Sequence, residues 1–382
     1  MIKMYSNHDK SRRKKKIAMM SGQERPWDNR ELGKDCGLVP YLLYKNHGCD
    51  AFMVCGKGEE YPYLEKMNGF RVEKLKDNSL ESKIEYLKKN GKELDVLILY
   101  GITDHNLEMA AVIKKINDKC LLACALDMNP DFADRIPFYM NPFYDYFDNL
   151  DFMWQSDTEM TTFLNDKWYW PVVCERNGYY NLEKGTSNVE YVKFDERDNV
   201  LLYVGRINDI PKNISMLLGA FEKISDKVPD WKLRLVGPVE EPFNEYVDTF
   251  FDYYPEMKEQ IEFVGNIEDK GKLHKEYEKA KIFVSTSVLE GGTPNAMSEA
   301  ICTGCVMAIT KIGAYQDIIG DGETGGYTDT DDEDAYADML LDLIKNKDLA
   351  KMSLNAYKRG KEMYNLEKIV GDIYGRLCTK GL

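Results

Sequence analysis

The stretch Val284 to Gly304, VSTSVLEGGTPNAMSEAICTG, carries two carboxylates on either side of a glycine-rich turn. Glu290 stands directly before Gly-Gly-Thr-Pro, and Glu299 lies just over one turn into the helix that Pro294 is well suited to begin. The free backbone N–H groups at such a helix start attract a phosphate. A carboxylate beside a phosphate is repelled unless hydroxyl groups donate hydrogen bonds to it, and sugar hydroxyls are the obvious donors. The spacing therefore indicates a ligand that carries both a phosphate and a sugar.

Two cations that could neutralise such a phosphate lie upstream, in YVGRINDIPKNISMLL. Arg206 follows Gly205 at the end of an apolar run, and Lys212 precedes the next helical pattern. Both would project from one strand-to-helix loop, where arginine offers a bidentate fork to a diphosphate and lysine a point charge. Either residue alone is usually an ordinary surface charge. Their joint occurrence with the glutamate-containing loop favours a diphosphate site.

These residues depend on parallel strands to bring their loops together. Near-continuous apolar runs alternate with helical patterns in the first half of the chain: KIAMM, AFMVCG, DVLILYG and CLLACAL. The second half repeats the scheme with VLLYVG, KLRLVG, IEFVG, KIFVSTS and CVMAIT. Strands of this kind are covered on both faces, so the alternation predicts an α/β fold with two doubly wound, Rossmann-like domains. Three of the five second-half runs end in Gly, which lets a ligand approach the carboxyl edge of a sheet.

The length of the chain also predicts two domains, since 382 residues with 43% hydrophobic residues are many for one core. We place an N-terminal domain at residues 1–170 and a linker rich in turn-forming residues at 171–188. A C-terminal domain follows at 189–365, and residues 366–382 form a final helical pattern. Two doubly wound domains that face one another leave a cleft between them. Periodicity alone does not assign the last helix to either domain.

The formal net charge of -14 argues against nucleic-acid binding, which needs a basic surface. One cluster, KSRRKKK from Lys10 to Lys16, is strongly basic and could make a peripheral contact with an anionic membrane. A solvated N-terminal arm is an equally good interpretation. The chain has no bilayer-spanning apolar run and no signal-like start, and its nine cysteines suit reduced thiols. We therefore predict a cytoplasmic protein, with a position at the inner face of the membrane as the hypothesis tied to the basic cluster.

No metal site is predicted, because the four histidines form no cluster with carboxylates at ligand spacing. The acidic run TDTDDEDAY, Thr328 to Tyr336, precedes an apolar-periodic segment. Acidic residues in that position more often cap a helix start than bind a metal.

The second half of the chain resembles the retaining glycosyltransferases of the GT-B fold, specifically the large family 4, whose members use nucleotide-sugar donors. The motifs that carry the resemblance run from Val200 to about Leu377: LLYVGRI, KN, LLGAFEKI, LRLVG, IEFVGNI, YEKAKIFVSTS and EGGTPNAMSEAICTGCVMAI. The first half is similar only in outline. The resemblance implies an acceptor-binding N-terminal domain, a nucleotide-sugar-binding C-terminal domain and a last helix that returns to the N-terminal domain.

The resemblance also implies roles for single residues. Arg206 and Lys212 would bind the donor diphosphate, Glu299 the ribose hydroxyls, and Glu290 the transferred sugar. The remaining donor-binding candidates are Gly205, Gly292, Thr293, Pro294, Asn295, and Asn266 with Ile267 at the nucleobase. Transfer would proceed with retention at the anomeric carbon, without a metal or other cofactor. The donor would be a nucleotide diphosphate sugar, with a UDP-sugar slightly favoured over a GDP-sugar.

Three departures from the family pattern concern the site. Eight residues separate Glu290 from Glu299 where the family has seven, and we favour a one-residue bulge in the Gly-Gly loop that restores Glu290. CALDMNP keeps Asp127 but has Leu126 where many members have His. The usual Gly-Gly loop after the first strand is not evident, and Gly33 lies near its place. Asp127 and Glu290 are the predicted catalytic residues, which would orient the attacking hydroxyl and the sugar.

The predicted function is transfer of a sugar to a hydroxyl of a glycan or lipid-linked saccharide, as in cell-surface polysaccharide synthesis. One alternative is a glycosyltransferase that acts on a soluble metabolite, and another is a non-catalytic binding partner with the same fold. The aromatic-rich stretch from Asp131 to Trp154 could stack on acceptor sugars or pack beneath a long loop.

Overall fold

The computed structural model describes residues 13–25, 27–56, 60–129, 133, 141–168 and 171–382. Within these residues the N-terminal half forms a parallel seven-stranded sheet with strand order β3-β2-β1-β4-β5-β6-β7. The strands are β1 (Lys16–Ser21), β2 (Asp50–Cys55), β3 (Val72–Lys74), β4 (Val96–Tyr100), β5 (Leu121–Ala125), β6 (Phe152–Gln155) and β7 (Val172–Cys174). The α-helices are α1 (Asn29–Leu32), α2 (Asp35–His47), α3 (Leu80–Asn90), α4 (Asp104–Ile116), α5 (Asn141–Asp148) and α6 (Thr158–Trp168). Short 3-10 helices span Pro62–Lys66 and Gly91–Glu93.

The described part of the C-terminal half forms a second parallel sheet of six strands, in the order β10-β9-β8-β11-β12-β13. Its strands are β8 (Asp198–Val204), β9 (Lys232–Val236), β10 (Ile261–Gly265), β11 (Ala280–Ser285), β12 (Val306–Thr310) and β13 (Gly325–Thr328). The helices are α7 (Ile214–Ser225), α8 (Glu241–Tyr253), α9 (Lys270–Lys279), α10 (Asn295–Thr303), α11 (Tyr315–Ile319), α12 (Glu333–Lys345), α13 (Leu349–Met363) and α14 (Leu366–Thr379). Further 3-10 helices span Phe194–Glu196 and Pro255–Glu259.

The apolar runs are nearly continuous because each sheet is buried on both faces. In β1, Ile17 and Met19 belong to one core cluster, while Ala18 and Met20 belong to another on the opposite face. In the second sheet Leu201 and Leu202 divide between two clusters in the same way. Since successive side chains of a strand point to opposite faces, an unbroken apolar run signals two covered faces.

Each sheet has a point where the chain direction switches. β1 pairs with both β2 and β4, and β8 pairs with both β9 and β11. At such a point the loops that leave neighbouring strands run to opposite sides and open a crevice at the carboxyl edge. The two crevices are the places where side chains from several loops can meet a ligand.

Two segments add detail to the predicted domain limits. Residues 172–174, inside the predicted linker 171–188, form the edge strand β7, in which Val172 pairs with Met153 of β6. The last helix, α14, buries Val370 and Ile373 in the same core cluster as Leu42 and Leu43 of α2. The end of the chain therefore packs on the N-terminal domain. None of the helices in the described ranges is long and apolar enough to span a membrane.

Candidate functional site

The Glu290 carboxylate and the Lys212 ammonium group form an ion pair at the carboxyl edge of the second sheet. Glu290 follows β11 and Lys212 follows β8, which are neighbouring strands. The Lys212 Nζ atom lies 2.5 Å from Glu290 Oε1, and both side chains are largely buried. Thr286 Oγ1 donates to the carbonyl groups of Lys212 and Asn213 at 3.0 and 2.8 Å. The sheet thus joins two predicted site residues that are far apart in the sequence.

Arg206 has a different partner from Lys212. Its Nη1 atom lies 2.9 Å from Oε1 of Glu240, and its side chain is 56% exposed. The neighbouring Asn208 and Arg206 side chains lower the pKa of Glu240. Gly205, beside Arg206, donates its amide to the carbonyl of Val236 at 3.0 Å. A diphosphate held jointly by Arg206 and Lys212 would have to compete with two carboxylates, Glu240 and Glu290.

Glu299 is held by two donors from helix α9. Lys270 Nζ lies 2.7 Å from Glu299 Oε1, and the Tyr277 hydroxyl donates to Oε2 at 2.8 Å. Tyr277 is fully buried, and burial raises the pKa of its hydroxyl far above the usual range. Sequence reasoning missed both donors. The position of Lys270 at the start of the helix after Asn266 and Ile267 was the available signal.

Gly33 lies opposite this cluster, on the N-terminal side of the cleft. A Cβ atom at Gly33 would stand 3.2 Å from the Tyr63 ring and 3.4 Å from Cε of Lys270. The Tyr63 hydroxyl donates a hydrogen bond to the carbonyl of Glu268, in the loop that begins with Asn266 and Ile267. Asn266 is exposed and Ile267 is half-buried. The structure thus brings Gly33 near Lys270, the partner of Glu299.

The glycine-rich loop is attached to the N-terminal domain. Thr293 Oγ1 donates to the Ser156 carbonyl at 3.0 Å, and the Asn177 side chain donates to the Thr293 carbonyl at 3.2 Å. Gly292 has φ +117° and packs so closely that an added Cβ would lie 1.9 Å from Ser156 Oγ. Pro294 stands one residue before α10, which begins at Asn295. The Thr293 hydroxyl therefore makes a hydrogen bond from the C-terminal domain to the N-terminal domain.

Asp127 faces the glycine-rich loop from the end of β5. A Cβ atom at Gly291 would lie 3.2 Å from Asp127 Oδ1, and Asp127 itself has φ +47°. The carboxylate opens to the cleft but is otherwise enclosed by protein, and this desolvation, with the nearby Asp35, raises its pKa to about 7. The Tyr100 side chain opposes the rise in the pKa of Asp127, and burial also raises the pKa of Asp35. Sequence reasoning missed Asp35 and Tyr100, although both stand at the carboxyl edge of the first sheet.

Two predicted binding segments lie partly outside the described residues. Lys10, Ser11 and Arg12 belong to the undescribed part of the basic cluster, whereas Arg13 and Lys16 pair with Asp95 and Glu93 at 2.9 and 2.7 Å. β1 begins at Lys16, so these ion pairs lie at the amino edge of the sheet, opposite the edge that carries Asp127.

The aromatic-rich stretch has its residues 131–132 and 134–140 outside the described ranges. Among the described rings of this stretch, Tyr146, Phe147, Phe152 and Trp154 are buried in the core clusters. Packing therefore accounts for these four rings.

The acidic run acts as a helix cap. The side chain of Asp332 accepts a hydrogen bond from the Ala335 amide at the start of α12. This contact agrees with the capping interpretation of the run.

Comparison with known proteins adds two kinds of similarity. Residues 187–363 match the family model described as "Glycosyl transferases group 1". The chain is 22% identical over 204 residues to a phosphatidyl-myo-inositol mannosyltransferase of Mycobacterium leprae, which is 53% of each chain. It is 20% identical over 156 residues to the protein of that name from Mycolicibacterium smegmatis, or 41% of this chain and 39% of that one. The aligned part spans about half the length of the curated relatives, or less.

The likeness in three dimensions covers almost the whole chain. Anabaena Alr3699/HepE, crystallised with UDP, superposes with a TM-score of 0.71 at 14% identity, covering 95% of this chain and 100% of that one. Sucrose-phosphate synthase from Thermosynechococcus elongatus gives 0.72 at 17% identity, covering 96% and 100%. A glycosyltransferase from Rickettsia africae gives 0.71 at 14%, covering 96% and 98%. At these identities the likeness concerns the fold, and it confirms the predicted GT-B architecture.

Proposed function

We propose that this GT-B chain is a retaining glycosyltransferase of family 4, which moves a sugar from a nucleotide diphosphate sugar to a hydroxyl of a glycan or lipid-linked saccharide. The observation that carries the proposal is that the loop holding the Glu290–Lys212 ion pair also places Gly291 against Asp127 across the cleft. The C-terminal side of the cleft supplies the Lys212 ammonium group and a helix start whose amide groups can bind an anion. The N-terminal side supplies the Asp127 carboxylate, which can accept a proton. A cation that stabilises a departing phosphate and a carboxylate that accepts a proton from an attacking hydroxyl suit a transfer reaction.

The donor would lie along the C-terminal side of the cleft. Arg206 and Lys212 would bind the diphosphate with the amide groups at the start of α10, and Glu299 would accept from the ribose hydroxyls. Arg206 is exposed enough to leave Glu240 for a phosphate. Asn266 and Ile267 would border the nucleobase. A UDP-sugar is the favoured donor, since Anabaena HepE and the pneumococcal transferase GtfA were both crystallised with UDP.

Catalysis would rest on charge rather than on a metal ion. Lys212 and Arg206 stabilise the negative charge that grows on the departing diphosphate. Asp127 accepts the proton of the attacking hydroxyl, and a pKa near 7 suits a base that works at neutral pH. Glu290, fixed by Lys212, orients the transferred sugar. Contacts between the bound donor and the protein would determine which hexosyl or related group is transferred.

Two kinds of acceptor are proposed, first a lipid-linked saccharide and second a soluble metabolite. The curated relatives are named for transfer to phosphatidyl-myo-inositol, which supports a lipid-linked acceptor. The ion pairs of Arg13 and Lys16 at the amino edge of the first sheet favour the second form, a soluble metabolite, because they place the described part of the basic cluster away from the cleft.

The donor assignment is tested by calorimetric titration of the protein with UDP, GDP and ADP. We expect one nucleotide to bind, and Arg206→Ala to weaken it at least about tenfold, or 1.4 kcal/mol. The matched control is Arg71→Ala, which removes an arginine paired with Asp50 and Glu73 on the first sheet and should leave the affinity unchanged. If none of the nucleotides binds, the donor site is wrong, and a non-catalytic GT-B binding partner becomes the better description.

A further inference from the structure

The loop of residues 266–268, between β10 and α9, contains the predicted nucleobase residues Asn266 and Ile267. In the described part of the chain, the backbone of this loop makes one hydrogen bond, which the Glu268 carbonyl accepts from the Tyr63 hydroxyl. Tyr63 belongs to the N-terminal domain, whereas the loop belongs to the C-terminal domain. The middle of the loop is therefore held by a residue from across the cleft.

The residues that flank the loop are fixed by their own domain. The Gly265 carbonyl accepts from the Gly237 amide at 2.9 Å, and Asp269 Oδ1 accepts from the Lys272 amide at 2.8 Å, which caps α9. The three residues between these two anchors depend on the bond from the N-terminal domain for their backbone position. Because ordering a free loop costs conformational entropy when a ligand binds, a bond that holds the loop beforehand favours binding.

Tyr63 itself is firmly placed in the N-terminal domain. It is the second residue of the 3-10 helix Pro62–Lys66, and its amide donates to Asn29 Oδ1 at 2.9 Å. The side chain is 8% exposed and belongs to the core cluster that covers one face of the first sheet. Burial, with nearby carboxylates, raises the pKa of the Tyr63 hydroxyl to about 12, so it remains a hydrogen-bond donor at neutral pH.

The same contact lies beside the predicted ribose carboxylate. Lys270 stands two residues after Glu268 in the chain, and its Nζ atom lies 2.7 Å from Glu299 Oε1. A Cβ atom at Gly33 would stand 3.2 Å from the Tyr63 ring and 3.4 Å from Cε of Lys270. The bond to Glu268 thus lies between the predicted nucleobase residues and the lysine that holds the predicted ribose carboxylate.

We infer that Tyr63 is a positioning residue for the nucleoside of the donor, because its bond to the Glu268 carbonyl holds the loop that borders the nucleobase. Its hydroxyl proton is donated to the protein, so it acts through the loop. The inference rests on the proposed function, since it takes this loop as the nucleobase end of the donor site. Affinity for the nucleoside then depends on a residue of the N-terminal domain. Affinity for the diphosphate, bound by Arg206 and Lys212 of the C-terminal domain, does not.

The test is calorimetric titration of the full chain with UDP, GDP, ADP and pyrophosphate, of which pyrophosphate lacks a nucleoside. Tyr63→Phe removes the hydroxyl and keeps the ring, so it should weaken nucleotide binding about fivefold and change pyrophosphate affinity less than about twofold. Nitrogen-15 relaxation of the ligand-free protein should show that the amides of residues 266–268 are more mobile in this variant. Tyr357→Phe is the matched control, since that hydroxyl donates to the Val189 carbonyl at 2.8 Å within the C-terminal domain, and it should change none of these quantities.

The outcomes separate this inference from the proposed function. Equal nucleotide affinity in wild type and Tyr63→Phe, or an equal loss of nucleotide and pyrophosphate affinity, overturns the positioning role and leaves the donor function standing. Unchanged mobility of residues 266–268 in the variant also overturns it, whichever nucleotide binds. A wild-type protein that binds no nucleotide rejects the donor function, and the nucleoside role is rejected with it. Retained pyrophosphate affinity in Tyr63→Phe shows that the variant is folded.

Discussion

Glu299 illustrates how one carboxylate is prepared for a ligand. Its two oxygen atoms already receive hydrogen bonds from Lys270 and Tyr277, so the side chain does not have to be ordered when a ligand arrives. Each carboxylate oxygen can accept a further bond. The nearby Lys270 also offsets the repulsion between Glu299 and a phosphate. The predicted ribose role is therefore compatible with the contacts that Glu299 makes, and it stays a prediction.

Asp127 allows a prediction about stability at the scale of one residue. Its folded pKa of about 7 exceeds the usual 3.8, because of burial and of Asp35, with Glu290 adding to the effect and Tyr100 and Lys34 opposing it. Between pH 4 and 7 the folded state keeps a proton that the unfolded chain has lost, so the free energy of unfolding contributed by this group falls as the pH rises. Above about pH 7 this group's contribution to the free energy of unfolding has been lost completely.

Asp127→Asn should therefore raise Tm at pH 8 and leave it nearly unchanged at pH 4.5. Because the carboxylate faces the solvent of the cleft, we discount the shift to a gain on the order of 1 kcal/mol, or about 2–4 °C. Differential scanning calorimetry at the two pH values measures the effect. A Tm that falls at pH 8 would show that Asp127 is stabilised in its charged form. The same substitution should abolish the rise of transfer activity with pH through about 7.

At the scale of elements, the glycine-rich loop between β11 and α10 decides how closely the domains approach. Thr293 is 1% exposed because its side chain is covered by the N-terminal domain. The backbone of Gly292 passes over Ser156 with no room for a methyl group, and its φ of +117° is unfavourable for any L side chain. Two requirements, conformation and space, thus coincide at one glycine.

Gly292→Ala should open the cleft and reduce transfer activity at least a hundredfold, because the loop cannot seat on Ser156. Small-angle X-ray scattering should show a larger radius of gyration than for wild type. Gly371→Ala in α14 is the matched control, since a Cβ there meets no atom within 4 Å, and helix propensity favours alanine by up to about 1 kcal/mol. An unchanged radius and activity in Gly292→Ala would contradict the proposed seating of the loop.

At the scale of the whole molecule, three connections among the described residues tie the domains together, in addition to the hydrogen bond from Tyr63 to the carbonyl of Glu268. The glycine-rich loop is one, and the packing of α14 on α2 is another. In the third, Asp317 accepts from Arg176 Nη2 at 3.0 Å and from the Thr158 amide at 2.8 Å. Contacts at the glycine-rich loop, at α11 and at the end of the chain therefore hold the two domains against each other in this structure.

The core position of α14 predicts that the end of the chain stabilises the N-terminal domain. Ile373 is 1% exposed in the cluster that contains the residues of α2, so Ile373→Ala should lower the free energy of unfolding by about 2–4 kcal/mol. Urea unfolding followed by circular dichroism measures the change. Leu354→Ala on α13 is the control, because that leucine is 37% exposed and should lose less than about 1 kcal/mol. Equal losses in the two variants would show that α14 is only loosely docked.

Much of the fold was predictable because burial determines which residue types a strand contains. A strand covered on both faces must be apolar throughout, as β1 and β4 are, and a glycine such as Gly205 marks the carboxyl edge where loops meet. The short strands β3, β6, β7 and β13 were not predicted. β3 and β7 are edge strands of three residues each, too short to produce a periodic signal.

The sequence by itself determined the α/β class, the two-domain plan, the loops that carry Arg206, Lys212 and Glu290, and the helix that carries Glu299. These follow from local patterns, since each loop lies directly after an apolar strand. Only the tertiary structure decided which partner each charge has. Lys212 pairs with Glu290, Arg206 with Glu240, and Glu299 with Lys270, because strand order and domain closure, not spacing along the chain, set the distances between side chains. The neighbourhood of Asp35, Tyr100 and Asp127 is a further case, since these residues lie at the ends of different elements that come together only when the sheet has formed.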